Sequence, residues 1–359
     1  MTEVELELAD AELICNQSVD RIVLEPPQIY RRWRPALMRG SYENEFVRKY
    51  FDAPASIGSA GYLICKNCTI VLDGLAICDS KLLLGRSMMY PMEIFPFDIH
   101  SKAFNYCGGV CRANLPTEHV YFTGTTAVIA SPGWQTYGHW IVDLLPRYFR
   151  SLDANPDQFL FPGPAHQWMR DMLASYGVDL NKCEFVDLTQ IKVVCETAVL
   201  PMFDRFNSEI RPAVTECHSK VWASTPQSGK ADRERIFISR SSNAARKLKN
   251  RTEIENVAER CGFRIVQPET MPFAEQVLLF STAEVIAGEC GSGLHNTVYT
   301  PEASRVCVIQ SENNHNFLQS QISMHKKHDI FYVIGTEFDD SGDYAVCKHE
   351  FAVALKAAL

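Results

Sequence analysis

The sequence predicts an α/β protein whose C-terminal part is a doubly wound parallel sheet. The first observation is that strand and helix segments alternate after residue 234, in the order β-α-β-α-β-α-β. The strands are predicted at 235–239, 263–266, 285–287 and 306–309, with helices at 252–260, at 273–280 and from residue 294. The second is that residues 1–120 are strand-rich. The third is the length of 359 residues, which suits about two domains that each bury a core.

Before residue 225 the sequence is predicted to be strand-rich to about residue 120 and to alternate helix and strand from about residue 139. Residues 61–77 alternate or run apolar, and Asp73-Gly74 within them favours a hairpin-like turn. Further short strands are predicted at 121–122, 127–130, 184–186 and 198–200, with a helix at 167–176 that Gly177 ends. Residues 223–234 are polar and contain Pro and Gly, which is typical of a linker.

The helix ends of the C-terminal half carry recognisable signals. Thr252 and Glu255 fit a capping box, and Gly262 stands where the glycine that ends a helix belongs. Pro272 lies near the first turn of the next helix, and residues 348–359 are expected to form a terminal helix. Since doubly wound sheets bind ligands at the carboxyl ends of their strands, the residues that follow these strands are the first candidates for a site.

Composition excludes several classes of protein. A content of 46% hydrophobic and 22% charged residues is that of a globular chain, and a net charge of -8 argues against sequence-independent nucleic-acid binding. No run of about 18 apolar residues occurs, so no membrane span is expected. The acidic start MTEVELELADAEL lacks the features of a secretory signal, which predicts a cytoplasmic protein.

Thirteen cysteines, an odd number, favour reduced thiols in such a compartment. The close pairs Cys65/Cys68 and Cys107/Cys111 are candidate zinc ligands. Because the two pairs differ in spacing and lie far apart in the sequence, buried thiols are the favoured interpretation.

The most informative stretch is VIAGECGSGLHNT, residues 285–297. A short apolar strand runs through Gly288, Gly291 and Gly293 into a helix start, which leaves backbone N–H groups and a positive helix end available to an anion such as phosphate. The spacing matches neither G-x-G-x-x-G nor the Walker loop, so a plain strand-to-helix turn is an equal alternative.

A second constellation lies in GWQTYGHWIVDLLPR, residues 133–147. If 139–147 is helical, His139, Asp143 and Arg147 fall at i, i+4 and i+8 and share one face. An imidazole beside a carboxylate is a candidate oriented base, and the guanidinium can bind phosphate. Pro146 removes one helical hydrogen bond, and the alternative is an amphipathic helix with a surface ion pair.

A basic segment, RSSNAARKLKNR at 240–251, follows the predicted strand 235–239. Arg240 stands directly at the carboxyl end of that strand, where ligands bind. Lys247 and Lys249 are interpreted as parts of a solvated basic loop.

Together these segments resemble glycosyltransferase family 61. The motifs that carry the resemblance are His139-Trp140, Asp143, Leu145-Pro146-Arg147, Ser239-Arg240, Asn250, Glu275-Gln276 and the turn Gly288 to Asn296. They stand in the family's order over roughly residues 134–310, whereas the first 120 residues show no resemblance. The form G-E-x-G-S-G-L-H-N is similar to bacterial members linked to capsular or exopolysaccharide synthesis, and Cys290, His295 and Arg251 depart from the pattern of many other members.

The resemblance implies a GT-B architecture, with two Rossmann-like doubly wound domains facing a cleft. The implied domains are residues 1–225 on the acceptor side, 226–345 for the nucleotide-sugar donor, and a C-terminal helix at 346–359. Within the first, residues 1–120 are strand-rich and 121–225 are α/β. It also implies an inverting enzyme of the EC 2.4 class that transfers a hexosyl or pentosyl group without a metal or other cofactor.

The implied site divides between donor and proton chemistry. Donor-binding residues would be Arg240, Gly291, Ser292, Gly293, His295, Asn296, Glu275 and Arg147, while His139 or Asp143 would be the base. For His295 and Asn296, hydrogen bonding at the helix start is an equal alternative. The acceptor would be a glycan or lipid-linked glycan. Peripheral association of the protein with a membrane is compatible with such an acceptor.

Two other functions compete with a transferase. A non-catalytic nucleotide- or glycan-binding protein would keep the fold but turn over no donor. A dinucleotide-dependent oxidoreductase requires G-x-G-x-x-G with an acid about 20 residues later, a pairing that the sequence lacks.

Overall fold

A computed structural model describes residues 1–11, 13–14, 16–41, 45–85, 88, 103–107, 110–219, 221, 234–240, 246–314, 316–337 and 342–359. The strands are β1 Thr2–Asp10, β2 Val19–Glu25, β3 Gln28–Arg31, β4 Leu37–Gly40, β5 Pro54–Ile57, β6 Ala60–Val71, β7 Leu75–Cys78, β8 Lys81–Leu84, β9 Phe104–Cys107, β10 Val110–Leu115 and β11 His119–Val128. They continue as β12 Gln158–Pro162, β13 Cys183–Val186, β14 Lys192–Pro201, β15 Arg205–Phe206, β16 Glu209–Ile210, β17 Glu234–Ile238, β18 Arg264–Val266, β19 Ala283–Glu289, β20 Arg305–Ser311, β21 Asp329–Glu337 and β22 Tyr344–Ala345.

The α-helices are α1 Glu45–Asp52, α2 Tyr137–His139, α3 Leu145–Ser151, α4 Gln167–Ser175, α5 Ala213–Glu216, α6 Arg251–Arg260, α7 Phe273–Thr282, α8 Leu318–Lys326 and α9 Lys348–Ala358. A π-helical turn, Trp140–Leu144, joins α2 to α3, and a 3₁₀ helix, Ser292–Tyr299, follows β19. The predicted linker 223–234 lies outside the described residues except for Glu234. Within the described part of the chain, no helix has the length and apolar character that a membrane span requires.

The chain divides into two compact units. The first unit comprises residues 1–28 and 57–206, and the second comprises 29–56 and 207–359. The sequence-based domain boundaries at 225/226 and 345/346 stay a prediction.

The first unit is built on a mixed sheet that contains eleven strands among the described residues, in the order β13-β12-β11-β14-β6-β7-β8-β1-β10-β9, with β2 also paired to β6. Four of these strands, β13, β12, β11 and β14, are parallel. The chain runs from β11 outward to β12 and β13 and then returns to the other side of β11 as β14. The reversal of direction therefore lies between β11 and β14, and the carboxyl ends of these two strands form a topological switch point.

The second unit contains a seven-stranded sheet in the order β18-β17-β19-β20-β21-β22, with β4 also paired to β21. The strands β17 to β21 and β4 are parallel, and only β22 at the edge is antiparallel among the described strands. In chain order β17 to β21 give the arrangement 2-1-3-4-5, so the switch point lies between β17 and β19. The prediction of a parallel sheet in this part of the chain is confirmed.

Helices cover both faces of the second sheet. Buried residues of α6 and α9 pack against Phe237, Ala287 and Ile309, which point to one face. The opposite face meets α8, where the Ser320 and Tyr332 hydroxyls lie 3.0 Å apart. Because successive strand residues point to opposite faces, a fully apolar strand is expected here, and this explains the continuous apolar runs in the sequence.

The segment 29–56 joins the second unit through a buried carboxylate. Glu209 accepts hydrogen bonds from the hydroxyls of Tyr30 at 3.0 Å and Tyr50 at 3.2 Å, and from Arg32 Nε at 2.8 Å. The strand β4 from this segment also pairs with β21. Local sequence patterns carry no signal for this arrangement, since both partners lie far away in the chain.

Most element predictions are confirmed, with one correction at α6. The hairpin at Asp73-Gly74 joins β6 to β7, and Gly177 and Gly262 follow α4 and α6 with φ of 71° and 81°. The capping box is wrong, because α6 begins at Arg251 with Asn250 as its N-cap. The carboxylate of Glu255 accepts a hydrogen bond from Ser239 Oγ at 2.6 Å and does not serve the helix start.

Candidate active site

The helical segment after β11 places its apolar residues in the core, as predicted. Trp140, Ile141, Leu144 and Leu145 are fully buried, and the Trp140 indole donates to the carbonyl of Trp134 at 2.6 Å. The segment does not continue as a regular α-helix, because the π-helical turn Trp140–Leu144 interrupts it just before the Leu145-Pro146 start of α3. A π turn accommodates a local loss of regular hydrogen bonding, and such turns are frequent at functional sites.

His139 and Asp143 form the predicted pair, and a third residue completes it. The distance from His139 Nδ1 to Asp143 Oδ2 is 2.6 Å. Arg205 donates to both oxygens of the same carboxylate, from Nε at 2.6 Å and from Nη2 at 2.9 Å. The Asp143 side chain is completely buried, whereas the His139 side chain is 33% exposed. The pair is therefore a buried acid supporting an accessible imidazole, and an exposed surface ion pair is excluded.

The charge of Asp143 is held by its surroundings. Burial by itself would raise the pKa of this carboxyl, but the Arg205 charge and the hydrogen bonds from His139 and Arg205 outweigh it and hold the pKa well below its usual range. An ionised carboxylate only accepts hydrogen bonds, so Nδ1 of His139 carries the proton that it shares with Asp143. In the neutral imidazole, Nε2 then holds the lone pair and can accept a proton.

Glycine at position 133 gives the imidazole its room. The φ of Gly133 is 74°, and a Cβ there would lie 2.9 Å from His139 Nε2 and 3.0 Å from Cδ2. Any side chain at this position would therefore crowd the nitrogen that is able to accept a proton. The glycine of the G-W-Q-T segment thus belongs to the site, although its sequence neighbourhood suggests only a turn.

Three side chains of the helical segment tie it to the residues at the end of β14. Besides the Asp143–Arg205 pair, Arg150 Nη2 contacts Asp204 Oδ1 at 2.7 Å. The guanidinium of Arg147 donates to the carbonyls of Pro201 and Ala130, and it is 3% exposed. Since Ala130 follows β11 and Pro201 ends β14, these contacts locate the His139 cluster at the switch point of the first unit.

The second unit brings Arg240 and the glycine turn together at its own switch point. Arg240 follows β17 and Cys290 follows β19, and Arg240 Nη1 donates to the Cys290 carbonyl at 3.2 Å. A Cβ at Gly291 would lie 3.2 Å from Arg240 Nε and 3.3 Å from its Cζ. The guanidinium thus lies against the backbone of the turn, and glycine permits that close approach.

The remaining predicted donor residues differ in their exposure. Ser292, Gly293 and His295 are partly buried in the 3₁₀ helix that starts after Gly291, and Glu275 is exposed in the first turn of α7. Asn296 is completely buried, and its Nδ2 donates to Gln276 Oε1 at 2.8 Å. This contact makes Asn296 and the predicted Glu275-Gln276 pair part of the packing between α7 and the 3₁₀ helix.

The two cysteine pairs are candidate zinc ligands from their spacing in the sequence. Cys65 and Cys68 are buried together with Cys78 and Cys195 in an apolar cluster of the first unit. The side chain of Cys107 lies outside the described residues. Among the side chains that the structure describes, no group of three or more His, Cys, Asp or Glu residues is placed to hold a metal ion.

The fold and these two clusters define an α/β enzyme with a candidate base and a candidate anion site at strand carboxyl ends. A comparison with protein families gives the class a name, since the family model described as Glycosyltransferase 61 matches residues 137–307. These residues form a glycosyltransferase family 61 domain, and the chain is a glycosyltransferase of the EC 2.4 class. No curated protein sequence gives a significant match to the chain. The predictions of a family 61 domain and of an enzyme are confirmed, while the bacterial, capsular-type subgroup stays a prediction.

Arg205 is the residue of the candidate site that sequence reasoning missed. It lies 62 positions after Asp143, so no local spacing connects the two. A signal was present nonetheless, because Asp204-Arg205 follows a predicted strand at its carboxyl end. The signal is weaker than for Arg240, because Arg240 follows its predicted strand directly whereas Arg205 lies five residues after the predicted strand 198–200.

Proposed function

We propose that the protein transfers a sugar from a nucleotide-sugar donor to a hydroxyl of a glycan or lipid-linked glycan, with inversion at the anomeric carbon. The observation that carries the proposal is the cluster of His139, buried Asp143 and Arg205, which orients an accessible imidazole. In the reaction the acceptor oxygen forms a bond to the anomeric carbon while the bond to the donor diphosphate breaks. The electron pair of that bond leaves with the diphosphate, and the hydroxyl proton goes to His139 Nε2.

This proposal separates the roles of His139 and Asp143, which the sequence leaves open. Asp143 is completely buried and held by Arg205, and a carboxyl with so low a pKa is a poor proton acceptor. It is well suited to fix the tautomer of His139 and to stabilise the imidazolium that forms. We therefore assign the base to His139 and a positioning role to Asp143 and Arg205.

The donor diphosphate is assigned to the second unit. Arg240 supplies a permanent positive charge, and the backbone N–H groups of Gly291, Ser292 and Gly293 supply donors at a helix start. Both follow strands that flank a switch point, which is where ligands bind in such sheets. Stabilising the departing diphosphate in this way requires no resident metal ion.

Two predicted donor residues receive other roles in this proposal. Arg147 ties β11 to β14 through backbone carbonyls, and Asn296 packs α7 against the 3₁₀ helix. His295 and Glu275 stay candidate donor contacts, since both reach solvent.

The finer assignments rest on the sequence. The GT-B architecture, with one Rossmann-like domain for the donor and one for the acceptor, is part of the proposal. The sequence of the glycine turn, G-E-x-G-S-G-L-H-N, supports a bacterial-type member that works in capsular or other polysaccharide synthesis. A cytoplasmic location with peripheral membrane association is part of the same proposal.

A donor screen tests the function directly. UDP-, GDP- and CMP-sugars are added singly, thermal unfolding is recorded, and release of nucleotide is measured with and without an acceptor oligosaccharide. A true donor binds only the folded state, so at 100 times its Kd it raises the free energy of unfolding by about 2.7 kcal/mol and the unfolding temperature rises with it. Binding of a nucleotide sugar without turnover would contradict transfer and favour a binding protein.

The roles are tested with His139→Ala and Asp143→Asn. We expect kcat to fall by about 10²–10⁴-fold in His139→Ala, with donor affinity unchanged, because proton transfer contributes that much to a rate. The proton NMR spectrum of the product should show the anomeric configuration opposite to that of the donor. Full activity of His139→Ala would contradict the assignment of the base, full activity of Asp143→Asn would contradict the positioning role of Asp143, and a retained configuration would contradict inversion.

A further inference from the structure

The N-terminal half of α6 contacts the ends of two strands. Arg251 and Glu255 are four residues apart in this helix and therefore share one face. Arg251 binds the Glu289 carboxylate with two hydrogen bonds, from Nε at 2.7 Å and from Nη2 at 3.1 Å. Glu255 Oε1 accepts a hydrogen bond from Ser239 Oγ at 2.6 Å.

The two contacts meet β17 and β19 at their carboxyl ends. Ser239 follows β17 directly, Glu289 is the last residue of β19, and these strands are neighbours in the sheet. The next residues are Arg240, which belongs to the proposed donor site, and Cys290, whose carbonyl accepts the hydrogen bond from Arg240. One helix thus fixes both backbones one residue before the guanidinium and the glycine turn.

The chemistry of the Arg251–Glu289 pair favours orientation over stability. The Glu289 side chain is completely buried, and a paired buried charge is often no more stable than apolar residues of similar volume. A guanidinium bound to both oxygens of a carboxylate, however, fixes direction as well as distance. The hydrogen bond with Glu289 raises the pKa of Arg251. The guanidinium therefore stays charged and pairs with the Glu289 carboxylate.

We propose that Arg251 and Glu289 are positioning residues for the donor diphosphate. This inference rests on the assignment of the donor to Arg240 and the glycine turn. The pair holds the end of β19 so that the Cys290 carbonyl anchors Arg240 and the N–H groups after it keep their direction. Arg251 is not itself a phosphate ligand, although it belongs to the basic segment.

The test removes both charges at once with the double variant Arg251→Met, Glu289→Leu, which leaves no buried charge without a partner. Isothermal titration measures binding of UDP and of inorganic pyrophosphate to the full chain. We expect Kd for both probes to rise about tenfold or more, because small displacements of positioned groups have large effects. The unfolding temperature of the double variant should stay close to that of the wild type. Arg251→Lys keeps the charge but loses the bidentate contact, so its Kd for both probes should lie between those of the wild type and the double variant.

Arg264→Met is the matched control. It removes an arginine from an exposed ion pair with Glu234. The two residues begin β18 and β17, so the pair lies at the sheet edge opposite to the proposed donor site. Binding of both probes should be unchanged in this variant. If the double variant fails to fold, Glu289→Gln is measured instead, since it keeps the shape of the side chain and should weaken binding in the same direction.

A second measurement separates this inference from the proposed function. Hydrogen exchange of the amides of residues 290–294 in the unliganded protein should be about tenfold faster in the double variant and unchanged in Arg264→Met. Wild-type binding with unchanged exchange in the folded double variant would overturn the positioning role. A wild-type protein that binds neither probe would instead overturn the donor site, while exchange would still report whether the pair orders the turn.

Discussion

The carboxylate of Asp143 accepts hydrogen bonds from Arg205 at 2.6 and 2.9 Å, so a completely buried acid is paired with a cation 62 residues further along the chain. Arg205→Met is expected to lower the free energy of unfolding by about 3–5 kcal/mol, because it leaves a buried charge without its cation. Urea unfolding measures the change. Arg34→Met, which removes an exposed partner of Asp52, should cost at most about 1 kcal/mol. If Arg205→Met and Arg34→Met lower the free energy of unfolding equally, burial of Asp143 does not increase the cost of losing its partner.

The same pair predicts how stability depends on pH. A carboxyl whose pKa is lowered in the folded state stabilises that state above its unfolded pKa of about 3.9, and this contribution is lost as pH falls toward the folded pKa. The stability difference between the wild type and Asp143→Asn should therefore shrink steadily as pH falls below about 5. Urea unfolding at a series of pH values measures it. A difference that does not change down to pH 3 would contradict the lowered pKa.

Removal of Arg240 should act on the donor. Arg240→Ala is expected to raise the donor KM about tenfold or more and to lower kcat, since a hydrogen bond to a charged group contributes about 1.5–3 kcal/mol. Steady-state kinetics with the donor found by screening provide the measurement. Lys249→Met is the control, because it removes a charge of the same sign from a pair with Asp343. Identical kinetics of Arg240→Ala and wild type would remove Arg240 from the site.

A methyl group at Gly291 should disturb Arg240 without straining the backbone. The φ of Gly291 is 163°, which any residue adopts, but a Cβ would lie 3.2 Å from Arg240 Nε. Gly291→Ala is therefore expected to raise the donor KM several-fold while the unfolding temperature changes little. In the control Gly58→Ala the new Cβ meets no atom within 4 Å, and both quantities should be unchanged. A wild-type KM in Gly291→Ala would mean that Arg240 does not depend on the turn.

Local patterns predict local structure well in this chain. The hairpin at Asp73-Gly74, the helix ended by Gly177 and the alternating elements after residue 234 follow from turn chemistry and periodicity within short windows. The helix start at Asn250 was misplaced because the Thr252/Glu255 pattern also has a tertiary use, in which Glu255 binds Ser239. A carboxylate near a helix start cannot be assigned to the cap when a partner from another element competes for it.

By itself the sequence determined the pieces of the candidate site that are close in the chain. The i, i+4 spacing of His139 and Asp143 and the glycines at 288–293 are local features, and their chemistry can be derived from residue types and spacing. The tertiary structure decided which of the alternatives each piece adopts. Arg205 reaches Asp143, and Arg251 reaches Glu289, only because parallel strands distant in the sequence end at the same edge of a sheet. Burial then fixes the charge of Asp143 and turns Arg147 toward backbone carbonyls, and burial depends on all the elements packed around a residue.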